Sequence, residues 1–255
     1  MNTDIRHAAL VTGGARRIGR HIVERLGQEG YAVAIHCNRS SEQAEDAARR
    51  IRSGGGQAAV VQADLADPAA VGRLVEDAAR ALGPLTLLVN NASEFEPDEV
   101  GSLSHARWDR HFAVNLRAPA FLAQDFARQL PADREGCIVN IVDQRVWKPT
   151  PQFFSYTLTK AALFSATRTM AQALAPRIRV NAVGPGPTLA NERQAEEDFD
   201  RQSKAVLLGR GSTPDEIADA VLYLARARSV TGQMIAVDGG QHLAWETPDV
   251  AGIRE

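Results

Sequence analysis

Apolar residues fall along this chain in two alternating rhythms. Short, nearly continuous apolar runs at 8–12, 31–37, 58–63, 85–90, 136–142, 178–183 and 233–237 predict strands buried on both faces. Leu87-Leu88-Val89 and Cys137-Ile138-Val139 are typical of them. Between the runs, apolar positions recur at helical spacing, which predicts helices near 17–28, 42–53, 69–81, 104–130, 153–174 and 214–226. Such alternation predicts a parallel sheet covered by helices on both faces, with right-handed crossovers. No Pro/Ser-rich linker divides the chain, so a single domain over 1–255 is expected. Gly54-Gly55-Gly56 reads as a helix stop. The exception to the rhythm is 188–210, which is polar, charged and poorly periodic. It reads either as a mobile segment over a site or as a surface loop without function.

Composition narrows the class. With 255 residues, 44% hydrophobic and 24% charged, the chain can bury a sizeable core. A formal net charge of −2 gives no basic surface for nucleic acid. Both cysteines, Cys37 and Cys137, fall in predicted strands and read as small core residues in a reducing compartment. No secretory run precedes the first strand, and no stretch approaches the length of a membrane span. A soluble cytoplasmic protein is expected.

The first strand runs into Gly13-Gly14-Ala15-Arg16-Arg17-Ile18-Gly19, and a helix follows. Strand, glycine turn and helix form the context of a dinucleotide site, in which backbone N–H groups at the helix N-terminus hold pyrophosphate. Gly13 lets the turn close, and Gly19 lets helix and strand approach. The second strand ends in His36-Cys37-Asn38-Arg39-Ser40, without an acid for the ribose hydroxyl of NAD. Arg39 and Ser40, with His36 nearby and Arg16 in the turn, favour the 2′-phosphate of NADPH.

Tyr156 and Lys160 stand four residues apart on a predicted helix and so share a face. The ammonium is expected to pull the phenol below its usual pKa of about 10 and so make a proton donor near neutral pH. Alone the pair is weak, because this spacing arises often by chance.

Thr12-Gly13, Asn90-Asn91-Ala92, Tyr156-x-x-x-Lys160, Pro185-Gly186 and Val237-Asp238-Gly239-Gly240 occur in the order of the short-chain dehydrogenase/reductases, and the chain resembles that family over nearly its whole length. The resemblance implies a Rossmann fold with a seven-stranded parallel sheet in the order 3-2-1-4-5-6-7, and a homotetramer. It implies that Asn115 supports a proton-relay water beside Lys160, and that Lys160 binds the nicotinamide ribose. It also implies cofactor contacts from Ile18, Asp64, Leu65, Asn91, Ala92, Ser93, Pro185 and Gly186.

Two departures narrow the resemblance. Arg17 stands where the family usually has glycine, and Asp143 stands thirteen residues before Tyr156, where it usually has serine. With His36-x-x-Arg39-Ser40, Asn91-Ala92-Ser93-Glu94-Phe95 and Gly184-Pro185-Gly186-Pro187, these changes resemble the pteridine reductases. That subgroup implies that Arg17 faces phosphate and pterin, Ser93 contacts pterin and cofactor, and Phe95 stacks on the pterin ring. A flat polar heteroaromatic suits an aromatic face and a fork of donors. The expected activity is NADPH-dependent reduction of a pterin or folate, with Tyr156 donating the proton and Asp143 orienting substrate and sharing that work. Two alternatives stand beside it: a generic carbonyl or 3-oxoacyl reductase, and an NADP(H)-sensing protein without turnover.

Overall fold

The computed structural model describes residues 7–191, 193–247 and 249–253. Its centre is a parallel sheet of β1 (Ala8–Val11), β2 (Ala32–Cys37), β3 (Gln57–Gln62), β4 (Leu85–Asn90), β5 (Gly136–Ile141), β6 (Ile178–Pro185) and β7 (Met234–Val237). The order is β3-β2-β1-β4-β5-β6-β7, as expected. On one face lie α1 (Arg17–Gln28), α2 (Ser41–Ser53) and α8 (Pro214–Arg226), whose Ile22, Leu26, Ile51 and Val221 pack on Val33, Ile35 and Val89. On the other lie α3 (Pro68–Leu82), α5 (Ala118–Gln129) and α6 (Phe154–Leu174), with Leu74, Leu122, Phe126 and Ala171 on Leu10, Leu88 and Ile138. Both sheet faces are covered, which is why the strands read as unbroken apolar runs. Cys37 and Cys137 are buried free thiols.

Strand order reverses between β1 and β4, which opens a crevice beyond their carboxyl ends. The glycine turn follows β1, Ser93 to Phe95 follow β4, Asp143 follows β5, and Pro185-Gly186 close β6. All the motifs singled out in the sequence, apart from those on α6 and the 104–130 helix, hang from this one edge.

Two elements differ from the periodicity reading. The helix expected over 104–130 runs without a gap from α4 (His105–Phe112) through a widened turn of π type over Ala113–Arg117 into α5. Pro119 lies in the first turn of α5. It has no N–H for the carbonyl of Asn115 and its ring crowds that carbonyl, so a regular α ladder cannot pass. The segment 188–210 contains a helix, α7 (Glu196–Lys204), none of whose residues is buried. Glu196, Glu197 and Asp198 in its first turn and Arg201 and Lys204 in its last favour the helix dipole without an apolar face, so no periodicity announces it.

Gly19 is where α1 passes closest to the turn. A Cβ there would lie 2.1 Å from the Gly13 carbonyl oxygen and 2.5 Å from Asn91 Nδ2. Gly19→Ala must push helix and turn apart. Overpacking of this kind costs about 1–3 kcal/mol, or roughly 2–12 °C in Tm for a chain of this size. An unchanged melting temperature by calorimetry would show that the turn is looser than described.

Candidate active site

The glycine turn is held from beneath. Thr12 Oγ accepts from the backbone N–H of Asn91 and of Ala92, both at 3.0 Å, and Asn91 Nδ2 donates to the carbonyls of Thr12 at 2.9 Å and Gly13 at 3.1 Å. Gly13 has φ +64°, and a Cβ on it would sit 2.9 Å from Ala92 Cα. Its N–H donates to His36 Nδ1 at 3.0 Å, while His36 Nε2–H donates to the Ala63 carbonyl at 3.1 Å. These partners require a neutral ring, and burial pushes its pKa down to about 4. His36, expected among the cations near a phosphate, is therefore an uncharged brace inside the fold.

Arg16 and Arg39 are exposed on the same rim and make no ion pair among the described residues. Asn38 is engaged through its carbonyl, which accepts from Gln62 Nε2 at 2.7 Å. Ser40 precedes α2 and makes no side-chain cap to it. Leu65 is buried. Asp64 accepts from the Ala66 N–H at 2.9 Å and from Arg110, and these bonds hold its carboxyl below the usual range. Arg17, with φ +53°, reaches across the crevice and donates to the carbonyls of Ala190 at 2.9 Å and Leu189 at 3.1 Å. Gly186 packs under Asp238, whose Cα would lie 2.6 Å from a Cβ there.

The ionisable centre lies where β5 meets α6. Tyr156 Oη donates to Asp143 Oδ2 at 2.8 Å, and Asp143 Oδ1 accepts from the Arg145 N–H at 2.8 Å. Lys160 Nζ donates to the Ile141 carbonyl at 2.8 Å and lies 5.6 Å from the Tyr156 ring centre. The expected lowering of the phenol pKa is not what the geometry produces. Burial, followed by the Asp143 charge and hydrogen bond, pushes Tyr156 well above its ordinary value. Burial likewise raises Asp143, and it lowers Lys160 to about 8 against the opposing pull of Asp143. Asp143 and Tyr156 are thus both harder to ionise than they would be in water.

Asn115, in the widened turn, is fully buried. Its Oδ1 accepts from the Glu94 N–H at 2.8 Å and from Ser93 Oγ at 3.3 Å, and its Nδ2 donates to the Glu94 carbonyl at 2.9 Å and Thr159 Oγ at 3.2 Å. It therefore ties the 93–95 loop to α6. Phe95 on that loop stands edge-on to Tyr156 at 4.6 Å and stacks on Phe153 at 4.2 Å with 4° between the rings. One face of Phe95 is thus already covered by the chain. The Arg145 guanidinium lies 5.7 Å from the Phe95 ring centre and 5.1 Å from that of Phe153. From the 188–210 segment, Arg193 donates to the Phe95 carbonyl at 2.6 Å and to Glu96 at 2.9 Å.

Sequence reasoning passed over Phe153, Arg145 and Arg193. The first two lie within thirteen residues of a recognised acid, so their proximity was readable. Arg193 meets Phe95 only through the fold.

The comparisons with known proteins agree with this geometry. A family profile described as enoyl-(acyl carrier protein) reductase matches residues 13–242. A short-chain type dehydrogenase/reductase of Picea abies is 34% identical over 251 residues, covering 91% of each chain. A 3-oxoacyl-(acyl carrier protein) reductase of Staphylococcus epidermidis is 32% identical, covering 92% of this chain and 99% of that one. Among solved structures, the FolM alternative dihydrofolate reductase 1 of Brucella canis, complexed with NADP, is 59% identical, covers 96% of this chain and 97% of its own, and has a TM-score of 0.93. A short-chain dehydrogenase/reductase of Serratia marcescens is 36% identical over 92% of this chain and 98% of its own, with a TM-score of 0.87. The chain belongs to the short-chain dehydrogenase/reductase family and is an oxidoreductase.

The electrostatics make a direct prediction. Asp143→Asn removes the charge that raises both Tyr156 and Lys160. Tyr156 should ionise at lower pH than in wild type by ultraviolet difference titration, and Lys160 should lose its proton below about 8. A phenol titration that moves upward in the variant would contradict the assigned cause.

Proposed function

We propose that this protein is an NADPH-dependent reductase of a pteridine-like substrate of the dihydropterin or dihydrofolate type. The observation that carries the reading is the Tyr156–Asp143 hydrogen bond of 2.8 Å, a carboxyl where the family usually has a hydroxyl. The 59% identity to a FolM alternative dihydrofolate reductase supports it.

The residues present fit the cofactor. The N-terminus of α1 has no side-chain cap and no acid in its first turn, and Gly13 keeps the adjoining turn free of side chain. That leaves backbone donors for pyrophosphate. Arg39 and Arg16, with Ser40 beside them, supply the charge for a 2′-phosphate. Lys160 would hold the nicotinamide ribose, and Pro185-Gly186 would lie against the cofactor. NADPH supplies the hydride. Tyr156 O–H gives the proton to the substrate atom that becomes N–H; below the raised Asp143 value the carboxyl is itself protonated, and it replaces that proton by donating along the same 2.8 Å contact in the reverse sense. The phenol thus acts without having to persist as phenolate. Reaction at a ring nitrogen needs such a proton reservoir more than reaction at a ketone, where a neutral hydroxyl suffices to orient oxygen. Activity should therefore fall as pH rises through the elevated Asp143 value, since the reservoir is full only below it.

Phe95 gives the ring a stacking face, and Arg17 and Ser93 give donors at its edge. Loss of the face in Phe95→Ala should weaken substrate more than NADPH, by about 0.5–1.5 kcal/mol. Asp143→Ser should depress dihydropterin reduction while sparing an activated ketone. The measurement is kcat/KM for one dihydropterin and one activated ketone in wild type and both variants. A wild type that reduces only the ketone, with Phe95→Ala without effect, would establish the second reading, a carbonyl or 3-oxoacyl reductase, which the 32% identity to 3-oxoacyl reductases favours. NADPH binding without oxidation by any substrate would mark a sensor.

Cofactor choice has its own test. Arg39→Ala should raise the NADPH KM by the loss of a charge-assisted contact of about 1.5–3 kcal/mol and leave NADH nearly unaffected. Equal losses would remove Arg39 from the phosphate site. The protein is taken to act as a homotetramer, with the exposed Phe121 and Leu158 covered by a second copy; light scattering reads the mass. No helix among the described residues is long and apolar enough to cross a membrane.

A further inference from the structure

The N-terminus of α6, which carries Tyr156, has no cap of its own. Phe153 precedes it in the left-handed region, φ +56° and ψ +49°, and makes no side-chain bond to the helix. The missing acceptors come from a loop more than fifty residues away in sequence. The Asp98 carbonyl accepts from the Phe154 N–H at 3.2 Å, and Asp98 Oδ1 accepts from the Ser155 N–H at 3.1 Å. Ser155 Oγ donates to Asp98 Oδ2. The chain continues through His111 on α4, whose Nδ1 is 2.5 Å from Ser155 Oγ and whose Nε2 accepts from the Glu96 N–H at 3.1 Å. Asp98 is 4%, His111 1% and Ser155 0% exposed, so none of these bonds is exchanged with bulk water.

The direction of every bond is fixed. A backbone N–H on Nε2 leaves the single imidazole proton on Nδ1, where it donates to Ser155 Oγ, and the Ser155 hydroxyl proton then goes to the Asp98 carboxylate. The line Glu96 N–H, His111, Ser155, Asp98 joins α4, the N-terminus of α6 and both ends of the 96–98 loop. Phe95 immediately precedes that loop, and Tyr156 immediately follows Ser155.

We infer that His111, Ser155 and Asp98 are positioning residues that fix Tyr156 relative to Phe95, and that a second proton on His111 releases this alignment. The inference rests on Tyr156 as the proton donor and holds whichever ring or carbonyl is reduced. A proton on Nε2 would face the Glu96 N–H, donor against donor, and the 96–98 loop must then move. Facing the ring, Asp98 on the loop, together with Glu94 and Glu96, favours the imidazolium, while Arg107 on α4 opposes it. Burial outweighs the three acids and keeps His111 below its ordinary value. The sign follows: the alignment is complete above the ordinary imidazole range and is lost as pH falls through the lowered value. This acid limb is separate from the alkaline loss assigned to Asp143.

The test uses wild type, Ser155→Ala, His111→Gln and the double variant, with kcat and both KM values measured across pH on the best substrate found. Ser155→Ala should lower kcat by about 10- to 100-fold, the usual effect of a small misplacement, with NADPH KM within about twofold of wild type. His111→Gln, which retains an acceptor and a donor but cannot titrate, should keep more activity than Ser155→Ala and lose the acid limb. The double variant should fall short of the product of the two single losses, because both act through one chain of bonds. Amide hydrogen exchange at Glu96 and Ser155 is read in parallel and needs no substrate. Both amides should be strongly protected in wild type at neutral pH, and their protection factors, taken against the intrinsic rate at each pH, should fall in acid and in Ser155→Ala. Wild-type kcat in Ser155→Ala, an acid limb retained in His111→Gln, or protection factors at these amides that are low in wild type or unchanged in acid would each overturn the inference. Failure of dihydropterins alone, with these effects present on a ketone, would count against the pteridine reading and leave the alignment standing.

Discussion

Tyr156 and Lys160 are buried and Asp143 is half-buried beside them where β5 meets α6, and the chemistry of the crevice follows from that confinement. In water Asp143 would be charged, Tyr156 neutral and Lys160 charged. Inside, each charge costs several kcal/mol unless a partner offsets it. The chain meets the cost with the Ile141 carbonyl for Lys160, the Arg145 N–H for Asp143, and the Tyr156 hydroxyl for the remaining carboxylate oxygen. The result is a lysine less basic than usual and an acid pair more reluctant to ionise. A serine at position 143 would leave Lys160 as the only charge of the three, and with it a different balance of protons.

That balance holds only if α6 and the loops after β4 and β5 are kept in register, and the fold provides this mainly through buried polar side chains. Thr12, Asn91 and His36 lock the glycine turn, Asn115 locks the 93–95 loop, and Asp98 closes the end of α6. The apolar layers on either side of the sheet fix where the strands lie. The crevice itself is shaped by hydrogen bonds of defined direction, which tolerate less displacement than dispersion contacts do.

The fold was legible because its strands are covered on both faces and its helices on one, so burial writes a different period into each. The same logic explains the two features that periodicity did not show. Pro119 imposes a π turn on a helix whose apolar spacing runs on through it, and α7 has no buried face to leave a period. At the site, residue types at motif spacing located Tyr156, Lys160 and Asp143, because their chemistry is local to one helix and one strand end. The sign of the Tyr156 shift was not legible, since the ammonium four residues away is visible in sequence whereas burial and the carboxylate contact are products of the fold. His36 was misleading for the same reason: a histidine at a strand end resembles a cation until its two nitrogens are seen to be occupied. Arg193 needed three dimensions, because it meets Phe95 only through the fold; Phe153 stands near Tyr156 in sequence, but its left-handed backbone and its stacking on Phe95 do not show there.

No residue of the helix α7 is fully buried, and the segment that carries it is tied to the crevice rim by Arg17 at the Leu189 and Ala190 carbonyls and by Arg193 at Phe95 and Glu96. Substitutions at its exposed positions therefore touch no core packing and draw little on the small margin by which a folded chain exceeds its unfolded state. Selection can alter what passes over the crevice without first securing compensating changes elsewhere. In this architecture sequence change is least disruptive on the exposed face of that helix.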